Sequence, residues 1–212
     1  MGYRDPVTEI RLAYADDLDA LYNISLKTGD MGRDASGLYD DPKMVGHIYS
    51  APYLVHSPEL CFVIEDQEGI AGYVVGTADT RAFEACLEVN WWPALRKKYA
   101  NPAGISEEHW SEDQYRANAI HNPYIIREDI AVDFPAHLHM NLLPRLQHKG
   151  YGSRLLGVWL AKARSLDVKA VHLGAGRSNV AGIRFWTKSG FQELTLPDQD
   201  LHTVWMGMRL TD

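Results

Sequence analysis

The sequence predicts a mixed α/β (α+β) fold, with a central sheet of about six to seven strands flanked by helices. It reads as one domain over 1–212, carrying a helical insertion at about 80–128. Three observations carry this. Apolar runs of period two alternate along the chain with runs of period 3.6. Two strand-like runs, CFVIE (61–65) and IAGYVVGT (70–77), flank Asp66-Gln67-Glu68-Gly69, which reads as a hairpin turn. A third run, from Ala136 to Leu143, stops at Pro144 and passes through two glycines into an amphipathic helix.

Taken in order, residues 8–13 (TEIRLA) alternate as a short strand, and Asp16 reads as the N-cap of a helix. Leu18, Leu21, Tyr22 and Ser25 share one face of that helix. Residues 29–50 are rich in Gly and Asp, with a second helix over Pro42–Tyr49. After the hairpin, residues 80–128 break the rhythm. They contain Trp91, Trp92, Pro93 and Trp110, an aromatic content suited to a folded helical insertion rather than a disordered linker. The helix expected over Tyr151–Arg164 buries Leu155, Leu156, Trp159, Leu160 and Ala163. A strand at Ala170–Leu173, a helix at Asn179–Ser189 and strands at Gln192–Leu196 and His202–Arg209 complete the pattern.

Composition narrows the function classes. A net charge of −7 argues against a nucleic-acid surface built on bulk electrostatics. It leaves room for an anionic cofactor held by backbone amides, and it favours a cationic substrate such as an amine. No run approaches the roughly 18 apolar residues of a membrane span. The start MGYRDPVTEI lacks the apolar core of a signal peptide, and Pro6 departs from the myristoylation pattern. A cytoplasmic protein is expected. Cys61 and Cys86 fit no metal or redox spacing and suit a reducing compartment.

The chemistry concentrates in Leu142-Leu143-Pro144-Arg145-Leu146-Gln147-His148-Lys149-Gly150-Tyr151-Gly152-Ser153. Two glycines at a helix start let the backbone approach a ligand, and the unbonded amides there form an anion site. The competing reading of this segment alone is a turn and helix start with no ligand. The chain has no G-x-x-x-x-G-K-[ST], and the dinucleotide fingerprint would need a third glycine. A second segment adds weight: Asn179-Val180-Ala181-Gly182-Ile183-Arg184-Phe185-Trp186-Thr187-Lys188-Ser189-Gly190-Phe191.

The pair P-x-x-Q-x-x-G-x-G and N-x-x-G-x-x-F-W-x-K-x-G-F resembles the GCN5-related N-acetyltransferase (GNAT) superfamily. The resemblance implies acetyl-coenzyme A as cosubstrate and direct transfer of acetyl to an amine, without a covalent acyl-enzyme. It implies that Gln147, His148, Lys149, Gly150, Tyr151, Gly152 and Ser153 surround the pyrophosphate. Met140, Asn141 and Leu142 would offer backbone groups to the pantetheine arm, and Asn179, Phe185, Trp186 and Lys188 would border the cofactor. A narrower resemblance is carried by Thr80-Arg81-Ala82-Phe83-Glu84, Trp91-Trp92-Pro93, Leu95-Arg96, Tyr99 and Ala136-His137-Leu138-His139-Met140. These look like the acetyltransferase-like domain associated with O-GlcNAcase and its stand-alone bacterial relatives. Some members of that group are regarded as pseudo-acetyltransferases, so the alternative is a silent module binding coenzyme A or a protein partner.

At one place the sequence departs from the superfamily. Many members place Tyr after the Phe of the second motif, where it protonates the leaving thiolate; here Trp186 stands there, and an indole N–H is no acid. For the base, His139 and His137 are two apart, on one face of a regular strand, and an ordinary imidazole pKa near 6.5 suits proton removal. Strands in this position often carry a bulge, so which of the two faces the cleft stays open. Asp133 and Asp79 are weaker alternatives. Read as a metal pair the two histidines lack a third ligand, and no metal is expected. The acceptor is a small-molecule or peptide amine, with nucleic acid and membrane excluded and a homodimer open. Asp30, Asp34, Asp40 and Asp41 read either as attracting that amine or as solvated caps, and Trp91, Trp92 and Trp110 either as a pocket wall or as anchors of the insertion.

Overall fold

The computed structural model describes residues 8–197 and 201–210. The readings made on the first seven residues, Pro6 included, lie outside them. Among the described residues seven strands form one sheet: β1 (Glu9–Leu12), β2 (Phe62–Asp66), β3 (Gly69–Thr77), β4 (Ala136–Leu142), β5 (Ala170–Gly176), β6 (Gln192–Glu193) and β7 (Thr203–Arg209). Their spatial order is β1-β2-β3-β4-β5-β7-β6, and β4–β5 is the parallel pair among antiparallel neighbours.

Six helices lie over one face: α1 (Leu18–Lys27), α2 (Met44–Tyr49), α3 (Ala51–His56), α4 (Thr80–Asn90), α5 (Trp92–Lys98) and α6 (Glu112–His121). A short α7 (Glu128–Asp133) leads into β4, and α8 (Tyr151–Ser165) and α9 (Val180–Lys188) cover the opposite face. Strand alternation sends Ile64, Val74, Leu138, Val171 and Val204 to Leu155, Leu156 and Trp159 of α8. The intervening Val63, Tyr73 and Val75 meet Leu21, Ile24, Phe83, Trp92 and Ile120 on the other side. Each fully buried aliphatic or aromatic side chain contributes about 1.5–3 kcal/mol, so both layers are anchored to the sheet. Trp159 also donates its indole N–H to the Leu60 carbonyl at 3.0 Å, which satisfies its one buried polar atom.

Several boundaries differ from the sequence-based ones for identifiable reasons. The hairpin turn narrows to Gln67-Glu68, because Gly69 takes a left-handed φ of 100° and already pairs with Asp66. The side-chain cap expected from Asp16 is absent: Asp17 holds the position before α1 without a capping bond, and its carboxylate instead accepts the Tyr14 N–H at 2.7 Å across a 3-10 turn and pairs with Arg11 at 2.7 Å. Helix α3 follows α2 after Ser50 alone, with Pro52 in its first turn. Strand β5 continues past Leu173 to Gly176, while β6 shrinks to two residues. The insertion joins the second core through Phe83, Leu87, Trp92, Leu95, Ala117 and Ile120. Trp91 is tied to it by an indole hydrogen bond to the His47 carbonyl at 2.9 Å, so these tryptophans anchor the insertion. Among the described residues no helix is long and apolar enough to cross a membrane.

The feature that positions a site is the parallel pair. Strands β4 and β5 pair at Ala136–Val171 and His137–His172 and then part. Each keeps its outer neighbour, β4 running with β3 to Leu142 and β5 with β7 to Gly176. The sheet therefore forks, and the inner edge of β4 from His139 onward has no strand partner.

Candidate active site

The fork leads to the turn that joins β4 to α8. Pro144–Leu146 form a single 3-10 turn, and the Gln147 side chain donates to the Leu142 carbonyl at 2.8 Å, pinning the turn to the strand end. His148 and Gly150 then adopt left-handed φ of 59° and 83°. Alternating backbone handedness of this kind points successive N–H groups into one concavity. The first backbone bond of α8 runs from Arg154 N–H to the Gly150 carbonyl at 3.2 Å, so helix geometry leaves the amides of Tyr151, Gly152 and Ser153 without an internal acceptor. These donors, with the helix dipole behind them, suit a pyrophosphate.

The side chains around the turn divide by role. His148, Lys149, Gly150 and Ser153 are exposed. The Tyr151 ring is buried in the core, so only its amide belongs to the concavity. A Cβ on Gly152 would lie 3.2 Å from Phe185 and 3.3 Å from Leu142, so the glycine lets α8 and α9 close together here. Asn179 caps α9 by accepting the Gly182 N–H at 2.9 Å, which occupies its side-chain oxygen locally. Phe185 and Trp186 are half-buried and in edge contact at 5.0 Å, with Phe191 5.3 Å from Trp186. Lys188 is exposed at the end of α9.

On the opposite face the fork meets a histidine cluster. The β3–β4 register is unbroken from Gly72–Leu142 to Thr77–His137, so β4 has no bulge on that side. His137, His139 and Asn141 consequently project toward the α1–α3 layer together. The Asn141 side chain is held there by Thr28 and by the Tyr73 hydroxyl at 3.3 Å, so the backbone is what Asn141 presents to the fork.

Hydrogen bonds link the two histidines through Tyr53. The Thr80 hydroxyl donates to the Pro135 carbonyl at 2.7 Å and lies 2.7 Å from His137 Nδ1. His137 Nε2 is 2.7 Å from the Tyr53 hydroxyl, which is 3.1 Å from His139 Nε2. The Thr80 proton is spent on Pro135, so for neutral rings the order is fixed. His137 donates from Nδ1 to Thr80, Tyr53 donates to His137 Nε2, and His139 donates from Nε2 to Tyr53. The lone pair of His139 is thereby placed on Nδ1, which has no hydrogen-bond partner among the described residues.

Burial keeps all three nearby imidazoles neutral. It holds His137 well below its ordinary value and lowers His139 to about 4, with His172 adding a smaller push on each. His172 is likewise lowered to about 4, chiefly by burial. Its Nδ1 bonds the Phe134 carbonyl at 2.6 Å, and its buried Nε2 has no partner. Tyr53 is hard to ionise, since burial raises its pKa well above the ordinary value.

Other sequence candidates sit elsewhere. Asp133 is exposed at the end of α7 and makes no hydrogen bond to the cluster. Asp79 caps α4 by accepting the Ala82 N–H at 3.0 Å. Asp34 and Asp41 serve as loop caps and surface pairs, and Asp30 pairs with Arg33. Cys61 is buried, with its thiol pushed well up by burial, which removes it as a nucleophile. Among the described residues no group of three His, Cys, Asp or Glu side chains is placed to hold a metal ion. Tyr53 and Tyr49, whose ring packs 5.5 Å from His139, have no signal in the sequence, and Thr80, quoted for the family resemblance, has none for its place beside His137. Their partners are distant in the chain, and no local pattern announces them.

Comparison with known proteins bears on the family and the fold. Residues 18–191 match the acetyltransferase (GNAT) family. The chain is 24% identical over 191 residues to Protein O-GlcNAcase of Rattus norvegicus and 23% identical over 189 residues to that of Mus musculus. Both matches cover 89% of this chain but only 20% of the relative, so the chain spans about a fifth of their length. The crystal structure of SsHAT superposes with a TM-score of 0.88 at 32% identity, covering 98% of this chain and 100% of that one. The putative acetyltransferase yncA from Salmonella typhimurium, solved with its cofactor acetyl-CoA, shares the fold at a TM-score of 0.54 and 16% identity, covering 97% and 95% of the two chains.

Proposed function

The chain belongs to the acetyltransferase (GNAT) family, and from that premise we propose that it transfers acetyl from acetyl-CoA to an amine. The observation that carries the reading is the fork between β4 and β5, open at its wide end onto the amide-lined turn of residues 148–153. In this reading the amides of Tyr151, Gly152 and Ser153 hold the pyrophosphate. The unpaired edge of β4 from His139 to Leu142 receives the pantetheine arm, with Phe185 and Trp186 alongside. When bound, acetyl-CoA supplies an activated thioester acetyl group.

His139 is the group we assign to the proton. Its Nδ1 lone pair is held ready by the chain through Tyr53, His137 and Thr80. As the new C–N bond forms, the attacking nitrogen becomes acidic and passes a proton to Nδ1. The chain behind His139 ends on the Pro135 carbonyl, which cannot take a proton onward. The proton on His139 therefore returns to the cleft. An imidazolium of pKa about 4 gives its proton readily to a thiolate whose conjugate acid has a pKa near 8.5. One imidazole thus serves as base and then acid, which removes the need for a tyrosine where Trp186 stands.

The test is a thiol-release assay with acetyl-CoA and a panel of amines. Amine-dependent release that falls about 100-fold in His139→Gln supports the reading; no release with any amine overturns it. A second reading, a silent module that binds coenzyme A or a protein partner, is favoured by Trp186 and by the similarity to the Protein O-GlcNAcase relatives. It predicts cofactor binding with no release in the same assay.

A further inference from the structure

Arg116 is set apart from the other arginines of the sheet-covering layer. Arg81 on α4 and Arg96 on α5 each pair with a carboxylate. Arg116 is half-buried on α6, beside the core residue Ala117, and among the described residues no carboxylate reaches its guanidinium. Its neighbours are phenols. Nε donates to the Tyr39 hydroxyl at 3.0 Å and Nη1 to the Tyr49 hydroxyl at 3.3 Å. Its Cζ lies 6.0 Å and 5.5 Å from the two ring centroids. Glu112, one turn earlier on the same helix, adds only a weak field.

This arrangement leaves a cation without a counter-charge. Taking a guanidinium out of water is costly, and neutral hydroxyls offset only part of that cost. Burial raises the Tyr39 pKa further, so that phenol does not become the missing anion. The Nη2 hydrogens and one on Nη1 have no acceptor, and together they form the planar edge that matches the two oxygens of a carboxylate. A single cation with one free edge suits a monoanion better than a phosphate dianion.

The position relates this edge to the proposed chemistry. The Tyr49 ring stands between Arg116 and His139, with its centroid 5.5 Å from the imidazole centroid and 5.5 Å from the guanidinium carbon. Resting on the acetyl-transfer reading above, we propose that the acceptor is a small amine bearing a carboxylate several bonds from its nitrogen, and that Arg116 binds that carboxylate. The ring between the two groups sets the spacing, so an amine and carboxylate on one carbon are too close to reach both. A zwitterion of this kind also suits a chain of net charge −7, which would repel a purely anionic ligand.

The probes are ε-aminocaproate, its amide and hexylamine as acceptors, with the N-acetyl derivatives of the first two as binding ligands. Wild-type protein should favour ε-aminocaproate over the amide by about 10- to 100-fold in kcat/KM, mostly through KM. Arg116→Gln should erase that preference and Arg116→Lys should keep much of it. Acetyl-CoA affinity should be unchanged in both, which also reports that the variants are folded. Calorimetry of the N-acetyl carboxylate against the N-acetyl amide should show the same preference without turnover. If nothing is acetylated, the transfer reading fails while the binding comparison still decides this one. Equal handling of carboxylate and amide by the wild type, in binding or turnover, overturns the assignment, as does a preference that survives in Arg116→Gln.

Discussion

Lowering the pH from about 7.5 to about 4.5 should unfold this protein through its histidines before its carboxylates protonate. His47, His139 and His172 titrate near 4 in the folded chain, with burial the leading cause in each, against about 6.5 when unfolded. Above pH 6.5 neither state carries these protons, and the folded state keeps its full stability. Below it the unfolded chain takes up protons that the folded chain refuses, until the folded groups titrate near 4. A gap of about 2.5 pH units is worth about 3 kcal/mol per histidine. Three together give a slope of about 4 kcal/mol per pH unit in mid-window, with His137 adding in the same direction. Set against a total stability of about 5–15 kcal/mol, that loss is enough to unfold the chain. The paired carboxylates Asp17 and Asp66 are held below their ordinary value, so their contribution is lost only at lower pH. Urea titrations across the window measure the slope directly, and His172→Gln should reduce it by about a quarter, one of four contributing rings. Stability that stays flat between pH 6.5 and 4.5, or a slope unchanged in His172→Gln, refutes the claim that these rings are buried and neutral.

Two further outcomes follow, one from each face of the sheet. Tyr53→Phe removes the hydroxyl between His137 and His139 and leaves two buried nitrogens without partners, a cost of about 2–4 kcal/mol. It should also lower kcat about tenfold while leaving the KM for acetyl-CoA unchanged; unchanged stability and kcat together would falsify the hydrogen-bonded chain. Gly76→Ala places a Cβ 2.4 Å from the His137 carbonyl oxygen and 2.8 Å from Trp159, forcing β3 away from β4. Overpacking of this kind costs about 3 kcal/mol, a fall in Tm of about 5–10 °C by calorimetry, and a Tm within 1–2 °C of wild type would contradict the close approach.

Local chemistry made the turn after β4 legible, whereas the parting of β4 from β5 has no local signal. Pro144, Gly150 and Gly152 mark where a strand must end and a helix begin, and Asn179 announces the start of α9. The two-residue spacing of His137 and His139 gave their common face correctly, because the β3–β4 register is unbroken there. What stayed hidden depends on contacts across the chain. Tyr53 meets histidines more than eighty residues away, and Arg116 finds its tyrosines on α2 and the loop before it. Helix α3 was missed because the Ser50 break is too short to register as an interruption. Sequence does not distinguish the adjacent Asp16 and Asp17, whereas in the fold Arg11 and the Tyr14 N–H engage Asp17.

The most direct measurement is calorimetric titration of the protein with acetyl-CoA, alongside Gly150→Glu. The substitution puts a negative charge and a side chain at φ 83°, on the rim of the amide concavity. We expect saturable binding at one site in the wild type and none in Gly150→Glu, with the variant otherwise folded. Absence of binding to the wild type at millimolar cofactor, or equal affinity in the variant, would contradict the assignment of the fork and its turn to acetyl-CoA.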